Sequence, residues 1–137
     1  MRVPILKLHD VLLTSVQVDL TDQEALDFQT DVLQRVQATD AAGLVVDITG
    51  VDVVDSFLAR VLNDTSQMVR LLGAQVVLCG VRPAVALTLM QMGRELIGVE
   101  TALNLEQGIE KVRALIRAHA ERLATAGPQR RGRTGHD

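Results

Sequence analysis

The strongest constraint on the fold is a repeated alternation in the middle of the chain. Leu44 to Ile48 (LVVDI) is a short β-branched apolar run of the kind that is buried on both faces. From Phe57 onward, Leu58, Val61, Leu62, Thr65, Met68, Val69 and Leu72 recur at helical spacing. Gly73 stops that pattern, and a second buried run, Gln75 to Cys79 (QVVLC), follows at once. Strand, single helix, strand requires a crossover, so the expected architecture is α/β with a mixed, mainly parallel sheet.

The flanks extend this unit. Val3 to Leu8 and Val11 to Val18 read as an opening hairpin turning at His9 and Asp10, with Pro4 confined to an edge or a strand start. Thr21 with Glu24 three residues later is a capping box, and Ala25, Phe28, Val32 and Val36 give the stripe of a five-turn helix that ends at Ala41, Ala42 and Gly43. Gly80 turns the chain after the second buried run. Pro83 then starts a third helix reaching Met92, closed by Gly93. Ile97 to Glu100 is a weak strand. Asn104 caps a last helix with a stripe of Ile109, Val112, Leu115 or Ile116, and Leu123. About five strands and four helices make one domain over 1–123, and 124–137 reads as a disordered basic tail without periodicity.

Composition limits the chemistry. The 137 residues are 47% hydrophobic with two Phe and no Trp or Tyr, so the core is aliphatic and platforms for base stacking are scarce. Arg130, Arg131 and Arg133 lie in the tail, which leaves the body acidic within a net charge of −3. An acidic body without a basic stripe argues against nucleic acid as a partner. The single Cys79 sits in an apolar run and reads as a small buried hydrophobe. No apolar run approaches the roughly 18 residues of a membrane span, so the pattern predicts a soluble, cytoplasmic protein. His9, His119 and His136 share no ligand spacing, and no glycine-rich phosphate loop follows a strand. Neither a metal nor a cofactor is expected.

What remains is the stretch Asp47 to Ser56, DITGVDVVDS, between the first buried run and the central helix. Ser56 is the residue type that caps a helix start, and a cap is its simplest reading. Its surroundings add a second reading. Asp47, Asp52 and Asp55 precede it, VDSFL lacks the flanking glycines of a nucleophile elbow, and Arg60 is the one cation nearby in the sequence. A phosphate there would gain from the helix dipole while facing carboxylates, which is the basis of a two-state switch.

DITGVDVVDSFLARVL and the later LLGAQVVLCGVRPAVALTLMQMG resemble the STAS-domain family of anti-sigma-factor antagonists, from about Val3 to Leu123. The opening VPILKL, the VDSF step and the ending ETALNLEQGIE are most similar to the small single-domain stressosome scaffolds within that family. The resemblance implies a binding module that is not an enzyme. It holds a serine kinase switch protein and assembles with sensor paralogues that carry an extra N-terminal domain, for which this chain has no room. It also implies that Ser56 is the phosphoacceptor, with Asp55 as the acidic neighbour and Asp47 as the strand-end aspartate. Switch and partner-binding positions then gather at Asp52, Asp55, Phe57 and Arg60, with Thr88 and Thr101 as the other hydroxyls a kinase could reach. The alternatives are a simple antagonist that binds an anti-sigma kinase directly, and a small ligand-binding α/β domain.

Overall fold

The computed structural model describes residues 3–91 and 99–136, with side chains as far as Thr125. Its elements are β1 (Ile5–Leu8), β2 (Val11–Ser15), α1 (Asp22–Thr39), β3 (Gly43–Asp47), α2 (Ser56–Leu71), β4 (Gln75–Cys79), α3 (Pro83–Gln91), β5 (Glu100–Ala102) and α4 (Leu105–His136). They form one five-stranded sheet in the order β1-β2-β3-β4-β5, antiparallel between β1 and β2 and parallel thereafter. The α/β expectation of five strands and four helices holds.

The hairpin turns through His9 at φ 57°, a left-handed conformation that histidine tolerates better than most side chains. Pro4 lies just ahead of β1, and its carbonyl accepts from the Thr14 hydroxyl at 2.9 Å. The capping box of α1 is complete: the Glu24 amide donates to Thr21 Oγ1 at 3.1 Å, and the Thr21 amide donates to Glu24 Oε1 at 3.0 Å. The Thr21 amide is the main reason the Glu24 carboxyl titrates below its ordinary range.

Alternation along the strands divides the core between the two faces of the sheet. Leu12, Leu44, Val46, Val76 and Leu78 pack with Phe28 and Val32 of α1, Leu58, Leu62 and Val69 of α2, and Val85 and Leu89 of α3. Val11, Val45, Val77 and Cys79 face the other way, against Val112, Ile109, Leu115 and Ile116 of α4. Burial and the charge of Asp47 push the Cys79 thiol up to about 12. Two glycines let α4 come close. A Cβ on Gly43 would lie 2.7 Å from Val112 Cγ2, and one on Gly108 would lie 3.0 Å from Val45 Cγ1 and 3.4 Å from Cys79 Sγ.

Three boundaries differ from the sequence reading. Helix α1 ends at Asp40, which takes the left-handed conformation at φ 51° and donates its amide to Val36 O, so Gly43 belongs to β3 and is kept small by α4. The last strand is Glu100–Ala102, since its position is set by pairing with Val77–Cys79 and not by its own apolar content. Met92, Gly93 and Ile97, assigned above to the end of the third helix and the last strand, lie outside the described residues. Leu123 is 62% exposed, because seven residues beyond Ile116 the helix has run about 10 Å past its last sheet contact. The backbone of α4 is helical on to His136, through the segment that the pattern reads as a tail.

Candidate functional site: the start of α2

The loop from β3 to α2 is anchored at both ends and open in the middle. At its entry the Asp47 carboxylate accepts from the Thr49 amide at 2.9 Å and the Thr49 hydroxyl at 2.5 Å, closing a tight Asx-type turn. The Ile48 amide donates to the Cys79 carbonyl at 3.0 Å. Gly50 passes against the chain after β2, where a Cβ would lie 2.7 Å from Gln17 Cα. Val51 and Val54 are buried and pin the loop, so Asp52 and the 65%-exposed Val53 face outward between them.

Asp55, and not Ser56, caps α2. It is extended at φ −89°, ψ 178°, and its Oδ1 accepts from the Leu58 amide at 2.8 Å. Both residue types can cap, and the chain sets the carboxylate there, where its charge also suits the positive end of the helix. The cap assignment for Ser56 is therefore corrected: Ser56 is the first helical residue, exposed, and its hydroxyl makes no hydrogen bond among the described residues. Phe57 is half-buried against the core, while Arg60, one turn on, is exposed.

Asp52, Asp55, Ser56 and Arg60 are all exposed, Ser56 and Arg60 one turn apart on α2, while the Asp47 carboxylate is committed to the Thr49 turn. Thr88 and Thr101 are elsewhere. The Thr88 hydroxyl donates to Ala84 O within α3, and Thr101 lies in β5, its carbonyl accepting from Lys111 Nζ at 2.7 Å.

A further residue of this surface, Arg82, was not visible in the sequence reading. Its guanidinium pairs with the Asp52 carboxylate, 30 positions away. The two loops also touch at Gly80, with φ 73°, where a Cβ would lie 1.9 Å from Thr49 Oγ1 and 2.8 Å from Asp47 Oδ1. A Cβ at 80 would force the Thr49 side chain, and with it the Asp47 turn, to shift. Arg60 is consequently not the sole cation near the helix mouth. The sequence held one usable signal: an arginine just before the Pro83 start of the helix that follows the neighbouring strand.

The described residues hold no group of three His, Cys, Asp or Glu side chains placed to bind a metal ion. None of their helices is long and apolar enough to cross a membrane. What the surface offers is a free hydroxyl at the first residue of a 16-residue helix, flanked by a capping carboxylate.

The STAS domain family model matches residues 2–108, and the chain belongs to that family. A serine-to-glutamate variant of RsbS from Moorella thermoacetica has 42% sequence identity with it and superposes with a TM-score of 0.77, over 85% of this chain and 99% of that one. A chain from the solved molecular architecture of the stressosome, a signal integration and transduction hub, is 39% identical with a TM-score of 0.71, over 83% and 99%. The RsbT co-antagonist protein RsbRA of Bacillus subtilis is 42% identical over 67 residues, which is 49% of this chain and 24% of RsbRA. This chain therefore spans about a quarter of that relative's length. The anti-sigma factor antagonist SpoIIAA, at 9% identity and a TM-score of 0.64, shares the fold.

Proposed function

We propose that this chain is a non-catalytic scaffold of a cytoplasmic stressosome-type assembly, holding a serine kinase of the RsbT kind and releasing it when Ser56 is phosphorylated. The observation that carries the reading is the free, exposed Ser56 hydroxyl at the first residue of α2, left unengaged because Asp55 takes the cap. Supporting it are the likeness to RsbS over nearly the whole of that chain and the name of RsbRA, an RsbT co-antagonist. Sensor paralogues of the RsbR kind are the proposed assembly partners.

Release follows from charge. A phosphoserine adds about −1.5 to −2 charges beside Asp55 and Asp52. At about 6 Å and an effective dielectric near 20, a pair of like unit charges repels by about 3 kcal/mol before screening. The helix end returns about 0.3–1 kcal/mol of this. A kinase seated on the helix mouth must also desolvate the phosphate, so its affinity is expected to fall by about thirtyfold or more, which is 2 kcal/mol. The test is to titrate the cognate kinase against unmodified, Ser56→Asp and Ser56-phosphorylated protein. The expected order of affinity is unmodified, then Ser56→Asp, then phosphorylated. Equal affinities for all three, or phosphate transferred mainly to Thr88 or Thr101, would overturn the reading.

The simple antagonist, with the fold of SpoIIAA, is separated by assembly state. Mixed with an RsbR-type paralogue, the scaffold forms large particles by light scattering and electron microscopy, whereas the simple antagonist stays monomeric or dimeric.

A further inference from the structure

We infer that Arg82 is the positioning residue that couples a phosphate on Ser56 to α3: its guanidinium exchanges the Asp52 carboxylate for the phosphoryl oxygens and draws the first turn of α3 with it. This rests on Ser56 being the phosphoacceptor and concerns how that modification is transmitted.

The starting contact is weak and replaceable. The Arg82 and Asp52 side chains are 52% and 66% exposed, and an ion pair so open to water holds loosely. A phosphoserine at the start of α2, four residues after Asp52, offers more charge and three acceptor oxygens, and guanidinium is the side chain whose planar fork matches them two at a time. The topology brings the parts together. Helices α2 and α3 follow the paired parallel strands β3 and β4, about 4.8 Å apart, so both helix starts lie above the same end of the sheet. The other charges around the hydroxyl are less free to respond. Asp47 is held by Thr49 and Asp55 by the Leu58 amide, while Arg60 belongs to α2 itself and can report nothing to a second element.

A move of Arg82 is also a move of α3. The Arg82 carbonyl accepts from the Ala86 amide at 2.8 Å, so its backbone closes the first turn of that helix. Two residues earlier, Gly80 sits at φ 73° against Thr49, fixing the point about which the short Val81–Arg82 link can swing. The helix presents Leu87 and Met90 at 59% and 73% exposure, so a tilt of its first turn re-aims an apolar surface as well as relocating a charge. A partner would then read phosphorylation as a change of shape at α3 together with repulsion at α2.

The test needs no kinase. Phosphoserine is installed at position 56 biosynthetically in the full chain, and the second phosphate pKa is read by phosphorus NMR alongside hydrogen exchange at the Ala86 amide. A guanidinium on the phosphate favours the dianion, so Arg82→Gln is expected to raise that pKa by about half a unit, the scale of one screened charge at an open site. Asp52→Asn, which frees Arg82, is expected to lower it, and this lowering shrinks in the double variant. Arg82→Lys restores part of the shift. Phosphorylation changes Ala86 exchange several-fold in the wild type and not in Arg82→Gln. The inference is overturned if Arg82→Gln leaves both readouts unchanged, or if Arg60→Gln reproduces the whole pKa shift. Because the phosphate is placed without enzyme, such a result strikes the role of Arg82 alone. Failure of the kinase to modify Ser56 would strike the reading beneath it.

Discussion

Helices α1 and α2 begin by solving the same problem in two ways. Each start leaves backbone amides without helical partners. At α1 the Thr21 and Glu24 side chains serve each other's amides reciprocally, with Asp22 adding a second acid to the first turn. At α2 only Asp55 contributes; the position matching Glu24 is Leu58, turned into the core, and the first turn carries no acid. The first start is closed at its cap by two reciprocal bonds. The second has a single cap bond and sets a free hydroxyl beside its first amides, where a dianion gains most from them. The difference shows how one fold can cap a helix while leaving the hydroxyl at its first residue unengaged.

The comparison can be broken at several levels. The largest effect on stability is expected from Gly80→Ala, which combines a left-handed backbone with a clash against Thr49 and Asp47 and should cost about 2–4 kcal/mol in urea unfolding. A variant as stable as wild type would show that the loop beneath the α2 start is soft. Next come the caps. Asp55→Ala and Thr21→Ala should each lose about 1 kcal/mol, and only Asp55→Ala should also alter kinase affinity. Ser56→Ala is expected to change stability by less than about 0.5 kcal/mol, since it removes no cap, while abolishing phosphate-driven release. A loss near 1 kcal/mol in thermal or chemical unfolding would restore Ser56 to the capping role.

The smallest effect distinguishes the closed start by pH. Glu24 has a lowered folded-state pKa, so its contribution is present above the unfolded glutamate value of 4.5 and is lost as pH falls through the folded one. The stability gap between wild type and Glu24→Gln should therefore be seen at neutral pH and shrink steadily below pH 4.5 in unfolding curves across that range. A gap that widens with acid would contradict the capping box.

Features set by local pattern were legible before the structure. The strand Gln75–Cys79, the hairpin and the Thr21 box follow from periodicity and residue type within a few positions. The misread positions had their cause elsewhere in the chain or an ambiguous neighbour. Gly43 looked like a helix stop because the α4 side chains that require it lie some 70 residues away. Asp55 and Ser56 are adjacent residues of capping type, and choosing between them needed the backbone angles. Arg82 joined the site through a contact across two loops, which no spacing rule reports. The functional reading came from the resemblance, since an exposed serine beside aspartates has no chemistry specific enough to announce a switch.

Cys79 turns the packing of α4 into something that can be clocked. The thiol is fully buried beneath Gly108, and with its pKa near 12 almost none of it is thiolate at neutral pH. An alkylating reagent can reach it only while the α4 layer is lifted from the sheet, so the labelling rate counts those excursions directly. As the chain has a single cysteine, that count requires no engineered reporter. Followed in the isolated protein and then in a mixture with an RsbR-type paralogue, it would tell whether neighbours clamp the layer on the sheet face opposite α2 or leave it free to breathe.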